Sequence, residues 1–175
     1  MARPVRIAAI QIPRWVEGKT AREKYEWNLH NIEACLQKAG EAGCDITGVG
    51  EGSNTRSLSA AEKAQVLGPL LDGPEVEIGS RMAKEHKMNV CLGIVGVHEG
   101  KKRNAAVLLD REGKVAGVYH KVQLTRRETI GGTVAGDDFP VFELDFGKVG
   151  CLICHDMSFV EAARVLGVRG AEIIL

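Results

Sequence analysis

The 175-residue sequence has no excess of charge of either sign: 23 Lys and Arg stand against 23 Asp and Glu. That balance argues against a protein built mainly for nucleic acid, whose phosphates demand a basic surface. No apolar run reaches the roughly 18 residues that a membrane-crossing helix needs. The N-terminal "MARPVRIAAIQIPRW" carries basic residues and a short apolar patch, but Pro13, Arg14 and Trp15 interrupt any signal-peptide core. It reads better as a first strand. Cysteines number five, at 35, 44, 91, 151 and 154, an odd count without the density of a disulfide scaffold. Reduced thiols and a cytoplasmic setting are expected. No internal repeat or low-complexity segment stands out. The length suits one domain or part of one.

What is present is a strong alternation of apolar runs and helical patterns. "VRIAAIQI" (5–12) reads as a strand. Thr20 and Glu23 form a Thr-x-x-Glu capping box, and Leu29, Ile32, Leu36 and Ala39 then recur as one buried helical stripe. "CDITGVGEG" (44–52) is short and partly apolar, and "SNTRSLSAAEKAQVLG" is a polar connection with some helical character. Pro74 suits a first helical turn, with helix over 75–87. "MNVCLGIVGVHE" (88–99) has the continuous apolar character of a buried central strand. Two hairpins follow, turning at Asp110–Gly113 and near Asp145–Gly147; then come a helix over 158–168 and a strand at "AEIIL". The order predicts a mixed α/β fold with helices covering a sheet. The chain stops in mid-strand, which predicts a domain cut short as readily as a terminal strand.

Four polar residues fall at or near strand ends. Cys154 ends "VGCLIC" just before a helix, where helix-start amides would favour its thiolate and could receive an oxyanion. A structural core cysteine is the plainer reading. Glu51 sits between Gly50 and Gly52, Lys121 follows "VAGVYH", and Glu128 lies seven residues further on. Each alone reads equally as a solvated side chain. Cys151-x-x-Cys154 raises a redox pair, but in a strand the two side chains point to opposite faces. A zinc site is also a poor fit: Cys154 and His155 are adjacent without a second ligand pair, and His30, His86, His98 and His120 are scattered. As a set, the thiol, carboxylate and ammonium are complementary. A thiolate attacks a carbonyl or nitrile carbon, a glutamate moves the proton and a lysine neutralises the oxyanion.

These residues resemble the nitrilase superfamily, the carbon–nitrogen hydrolases. "GKVGCLICHDMSFVEAARVLGVRGAEIIL" is similar to that family's nucleophile strand, elbow and helix, with Cys154 as nucleophile. "VYHKVQL" resembles its lysine motif, at Lys121, and "ITGVGEG" the strand carrying the first glutamate, at Glu51. "AGDDFPVFELDFGKVG" resembles the linker and hairpin before the nucleophile, and Glu128 matches the second glutamate. His120, Val160 and Ala135 depart from the family's usual arginine and two prolines.

The resemblance implies the N-terminal portion of a four-layer α-β-β-α sandwich, spanning 1–175 and incomplete at its C-terminus. It implies no cofactor or metal, a homo-oligomer, and a small-molecule amide, N-carbamoyl or nitrile substrate with water. Neither nucleic acid nor membrane is an expected partner. Asp156 directly after His155 resembles the family's amidase and carbamoylase branches more than its nitrilase branch, which implies an amide or N-carbamoyl substrate before a nitrile. The rivals are a nitrilase, an inactive fragment stable only in an oligomer, and a redox protein using Cys151 and Cys154.

Overall fold

The Thr20–Glu23 box opens the longest helix. In a computed structural model that describes residues 4–13 and 20–175, Glu23 N donates to Thr20 Oγ1 at 3.2 Å and Thr20 N to Glu23 Oε2 at 2.9 Å. Arg14 and Trp15 lie outside the described residues. Helix α1 (Ala21–Glu41) buries Tyr25, Asn28, Ile32, Leu36 and Ala39. Leu29, expected in that stripe, is only half-buried. The inward position belongs to Asn28, whose amide is consumed by the carbonyls of Asn54 and Arg56.

Strands β1 (Ile7–Ile10), β2 (Ile46–Val49) and β3 (Asn89–His98) pair in parallel. Helical crossovers make this possible: α1 joins the first two strands, and α2 (Ala60–Val66) and α3 (Pro74–His86) join the next two. Strands β4 (Lys101–Leu109) and β5 (Val115–His120) add antiparallel, giving one five-stranded sheet in chain order. After α4 (Arg126–Ile130) a smaller sheet forms from β6 (Val141–Leu144), β7 (Gly147–Gly150) and β8 (Ile173–Ile174), with α5 (Val160–Val168) crossing between the last two.

Alternation along β3 and β4 divides the core. Val90, Leu92, Ile94, Ala105, Val107 and Leu109 face one cluster with Ile32, Leu36 and Met82 of the helices. Cys91, Ala106 and Leu108 face the other, against Leu144 and Val149 of the small sheet and Cys151 and Ile153 just past its β7. On that sheet's far side Leu166 of α5 sits over Gly150, where an added Cβ would lie 2.8 Å from a leucine methyl. The layers are therefore helix, sheet, sheet, helix. Three details differ from the sequence reading. The strand carrying "VGCLIC" ends at Gly150, a 3-10 turn (Cys154–Ser158) precedes α5, and Glu128 lies on a short helix, α4, that the sequence reading does not include. Among the described residues, no helix is long and apolar enough to cross a membrane.

Candidate active site

Glu51 follows the end of β2 by two residues. Its turn is stapled to β3: Ser53 Oγ donates to Gly93 O at 2.9 Å, Asn54 Nδ2 to Val95 O at 2.8 Å, and Val95 N to Asn54 Oδ1 at 3.0 Å. Gly93 is required for this approach, because a Cβ there would lie 2.7 Å from the carbonyl oxygens of both Val49 and Gly50. Beneath the turn, the carboxylate of buried Glu75 accepts from Asn54 Nδ2 at 2.6 Å and from Tyr25 OH at 2.8 Å. Burial and then the Glu75 charge push the Tyr25 hydroxyl pKa up, so the phenol remains a donor.

Lys121 follows β5 directly. Its backbone is fixed on both sides: its N donates to Asn104 O, and its carbonyl accepts from Gly136 N, both at 2.9 Å. The side chain is 1% exposed. Such a charge is tolerable only when paired and hydrogen-bonded. Its Nζ donates to Glu51 Oε1 at 2.7 Å and to Glu128 Oε1 and Oε2 at 3.0 and 2.9 Å. Burial opposes the Lys121 charge, but the two glutamates outweigh it and raise the lysine pKa.

Glu128 is held by a second helix cap. Thr125 N and Oγ1 donate to its Oε2 at 2.9 and 2.8 Å, while Glu128 N donates back to Thr125 Oγ1. The cap and the lysine contact thus share one carboxylate. Burial works against its ionised form, yet the bonds from Lys121, Thr125 and Asn104 bring it down to about 2. Asn104 completes the arrangement: its Nδ2 donates to Glu51 Oε1 and to Glu128 Oε1, each at 2.7 Å.

Cys154 opens the 3-10 turn with φ of +48°, a left-handed backbone that a cysteine rarely adopts. The turn is held by buried Asp156. Its Oδ2 accepts from Ile153 N at 2.8 Å and Tyr119 OH at 2.6 Å, and its Oδ1 accepts from Gln123 N at 2.7 Å. The elbow leaves Cys154 exposed. The surroundings of the thiol act against the thiolate that the sequence reading expects. Burial pushes its pKa up, and so do the Glu51 charge and a hydrogen bond to Glu51, with Lys121 pulling the other way. The physical reason is local: Glu51 and Glu128 together outnumber the one lysine.

All four predicted residues, Glu51, Lys121, Glu128 and Cys154, line one pocket of about 750 Å³ together with Asn104. Cys151 is elsewhere. It is buried between the sheets with its Sγ 4.0 Å from Cys91 Sγ, so Cys151 and Cys154 do not form a facing pair. His120 turns to His98, with Nε2 and Nδ1 3.0 Å apart. Among the described residues, no group of three or more His, Cys, Asp or Glu could hold a metal ion. Sequence reasoning passed over Asn104 and the structural use of Asp156 and Tyr119. It also missed a usable signal, since Thr125-x-x-Glu128 repeats the signature of Thr20-x-x-Glu23.

Known proteins share this arrangement of elements. The carbon–nitrogen hydrolase family profile matches residues 6–175. A probable nitrilase of Schizosaccharomyces pombe is 33% identical over 109 residues, covering 59% of this chain and 39% of that protein. An (R)-stereoselective amidase of a Pseudomonas species is 32% identical over 118 residues, covering 67% of this chain and 42% of that one. A solved amidase from Nesterenkonia sp. AN1 superposes with a TM-score of 0.80 at 24% identity, covering 98% of this chain and 65% of its own. The chain thus spans less than two thirds of the length of these relatives. The fold is the α-β-β-α sandwich of these proteins, and the chain belongs to the carbon–nitrogen hydrolase family.

Proposed function

We propose that this protein hydrolyses a non-peptide carbon–nitrogen bond, in an amide or N-carbamoyl compound, through a thioester on Cys154. The observation that carries the reading is the buried Lys121 ammonium held between Glu51 and Glu128, in the same pocket as an exposed cysteine on a strained turn.

The raised Cys154 pKa favours proton transfer coupled to attack over a standing thiolate. Glu51 takes the thiol proton as Sγ bonds to the substrate carbonyl carbon. The carbonyl π pair moves to oxygen, where Lys121 and neighbouring backbone amides hold the oxyanion. Collapse breaks the carbon–nitrogen bond, and Glu51 returns its proton to the departing nitrogen. Ammonia or an amine leaves, and a thioester remains. Water then attacks that thioester while Glu51 takes its proton. The second collapse breaks the carbon–sulfur bond, frees the carboxylic acid and returns the proton to Cys154. Glu128 keeps Lys121 charged and in place throughout.

The relatives support the chemistry. One solved variant of the Nesterenkonia amidase carries acrylamide added at its active-site cysteine. Because the S. pombe relative is described as a probable nitrilase, a nitrile is the second reading. There attack gives a thioimidate, which water converts to the same thioester with loss of ammonia. A homo-oligomer fits the exposed apolar side chains Met157 and Val160 beside the elbow. A reducing, cytoplasmic setting fits five free cysteines.

The test is ammonia release from matched amide, ureide and nitrile substrates, by the wild-type protein and by Cys154→Ala. Turnover of the amide or ureide that disappears in a folded Cys154→Ala protein supports the proposal. Activity retained by that variant removes Cys154 as nucleophile. Turnover of the nitrile alone moves the assignment to a nitrilase, and a well-folded protein inert to all three points to a non-catalytic role.

A further inference from the structure

The reacting groups use up both carboxylates of the pocket, yet its wall carries four more cations: Arg56, Lys63, Lys102 and Arg127, besides Lys121. Among the described residues, Glu51 and Glu128 are the only carboxylates lining it, and both are committed to Lys121 and Asn104. The outer cations come from separate elements. Lys63 is on α2, Lys102 on β4 and Arg127 on α4, so the fold gathers them from three parts of the chain.

Their partners do not account for them. Lys102 Nζ donates to a neutral group, Gly131 O, at 3.0 Å. Among the described residues, the side chains of Lys63 and Arg127 make no hydrogen bond or ion pair. Lys63 is also partly withdrawn from water. Burial, and then the charges of Lys102 and Arg127, hold its ammonium below the ordinary lysine range against the pull of Glu51 and Glu128. A half-buried cation beside two like charges, in no ion pair among the described residues and drawn only by two glutamates already bonded to Lys121, is stabilised when a further anion arrives.

We infer that Lys63, with Lys102 and Arg127, forms an anion subsite at the outer wall of the pocket that selects substrates whose acyl portion carries a free carboxylate. This rests on the hydrolase reading of the same pocket and adds the substrate class. The monoamides of aliphatic dicarboxylic acids have the required form, with the amide at Cys154 and the carboxylate at the subsite. The carboxylate would complete the charge balance of the wall, while a neutral ester in its place would leave the cations unpaired. Discrimination therefore comes from the outer wall, and bond cleavage from the inner one.

Two measurements test this. The first is kcat/KM for malonamate, succinamate, glutaramate and adipamate against their methyl esters. At least one free acid should exceed its ester by tenfold or more, with a preference that falls as salt is added. Lys63→Met should reduce that ratio at least tenfold, mainly through KM, and Lys63→Arg should restore most of it. Arg127→Met, at an exposed position, provides an independent variant and should also reduce the ratio. The second measurement is calorimetric binding of the same pairs to Cys154→Ala, which needs no turnover. If no amide is hydrolysed but the acids bind better than the esters in a Lys63-dependent way, the hydrolase reading fails and the subsite stands. If acids and esters bind equally, or Lys63→Met and Arg127→Met leave the ratio unchanged, the subsite is overturned.

Discussion

Tyr119 and Asp156 lie 37 residues apart in sequence and share a 2.6 Å hydrogen bond. Tyr119 precedes Lys121 by two residues on β5, and Asp156 follows Cys154 by two in the 3-10 turn. The bond therefore clamps the lysine segment to the cysteine segment across the two sheets. Burial, together with Asp156, pushes the Tyr119 pKa up and keeps the phenol a donor. Asp156→Ala would leave Ile153 N, Gln123 N and the Tyr119 hydroxyl without their acceptor. The expected loss is about 2–5 kcal/mol of stability, against about 1–2 kcal/mol for Tyr119→Phe, which removes the bond to Asp156 and the long 3.4 Å bond accepted from Val122 N. Urea unfolding of the two variants checks the order. Equal losses would deny Asp156 its role as the shared acceptor.

The thiol gives a pH prediction with a definite sign. Iodoacetamide alkylation of Cys154 should reach half its limiting rate above the pH typical of a free thiol, because burial and Glu51 raise the pKa. Glu51→Gln removes a raising charge and should move the midpoint down. Lys121→Met removes the opposing charge and should move it up. Mass spectrometry of the alkylated peptide over pH 6–11 follows each shift, and a wild-type midpoint below the ordinary thiol value would refute this electrostatic picture.

Glu128 titrates in the opposite direction. Its folded value of about 2 lies below its ordinary value of 4.5. Its stabilising contribution is therefore complete above the ordinary value and is lost as pH falls toward about 2. The stability difference between wild type and Glu128→Gln should be constant from neutral pH to about pH 5 and shrink below it. Denaturation measured from pH 7 to pH 2.5 would show this, and a difference independent of pH would mean that Glu128 acts by packing alone.

Asn104 is the test of carboxylate alignment. One amide nitrogen reaches both glutamates, and the Oδ1 of the same side chain is buried without a partner among the described residues. Asn104→Asp would replace a shared donor by a third carboxylate. Turnover should fall by roughly 100-fold, the scale of losing one positioned group at a reacting centre. The alkylation midpoint of Cys154 should also rise. A loss of stability without that electrostatic shift would assign Asn104 to packing only.

Gly93→Ala addresses the Glu51 turn. The new methyl would press on the carbonyls of Val49 and Gly50, both backbone atoms that cannot rotate away. A cost of about 1–3 kcal/mol is expected, with turnover reduced beyond what the lost stability explains. Unfolding and kcat measured together separate the two effects.

The fold was legible where physics is local. The Thr20–Glu23 box, Pro74 at a helix start, both hairpin turns and the long apolar run at 88–99 all correspond to elements. Cys154, Lys121, Glu51 and Glu128 were legible as candidates because three stand at or just past strand ends, and a family resemblance ordered them. What stayed hidden depends on distant partners. Asn28 displaces Leu29 from the helix stripe because the carbonyls it serves lie 26 and 28 residues away. Asp156 reads in the sequence as a pointer to substrate type, and its structural use as a shared acceptor appears only when Gln123 and Tyr119 are brought to it. The electrostatics of the thiol stay hidden for the same reason: helix-end effects can be read from order along the chain, but two carboxylates folded against one lysine cannot.

The short helices α2 and α4 have a consequence for how such a pocket changes over time. Lys63 and Arg127 project from these peripheral elements, whereas Lys121 is anchored to the large sheet by a backbone bond and the Glu51 turn by the side chains of Ser53 and Asn54. A substitution at either outer position disturbs no ladder and no buried core. Under the proposed function, new substrate preferences can therefore be sampled at the rim while the sheet-anchored inner residues keep their geometry, which divides the pocket into a part free to drift and a part that is not.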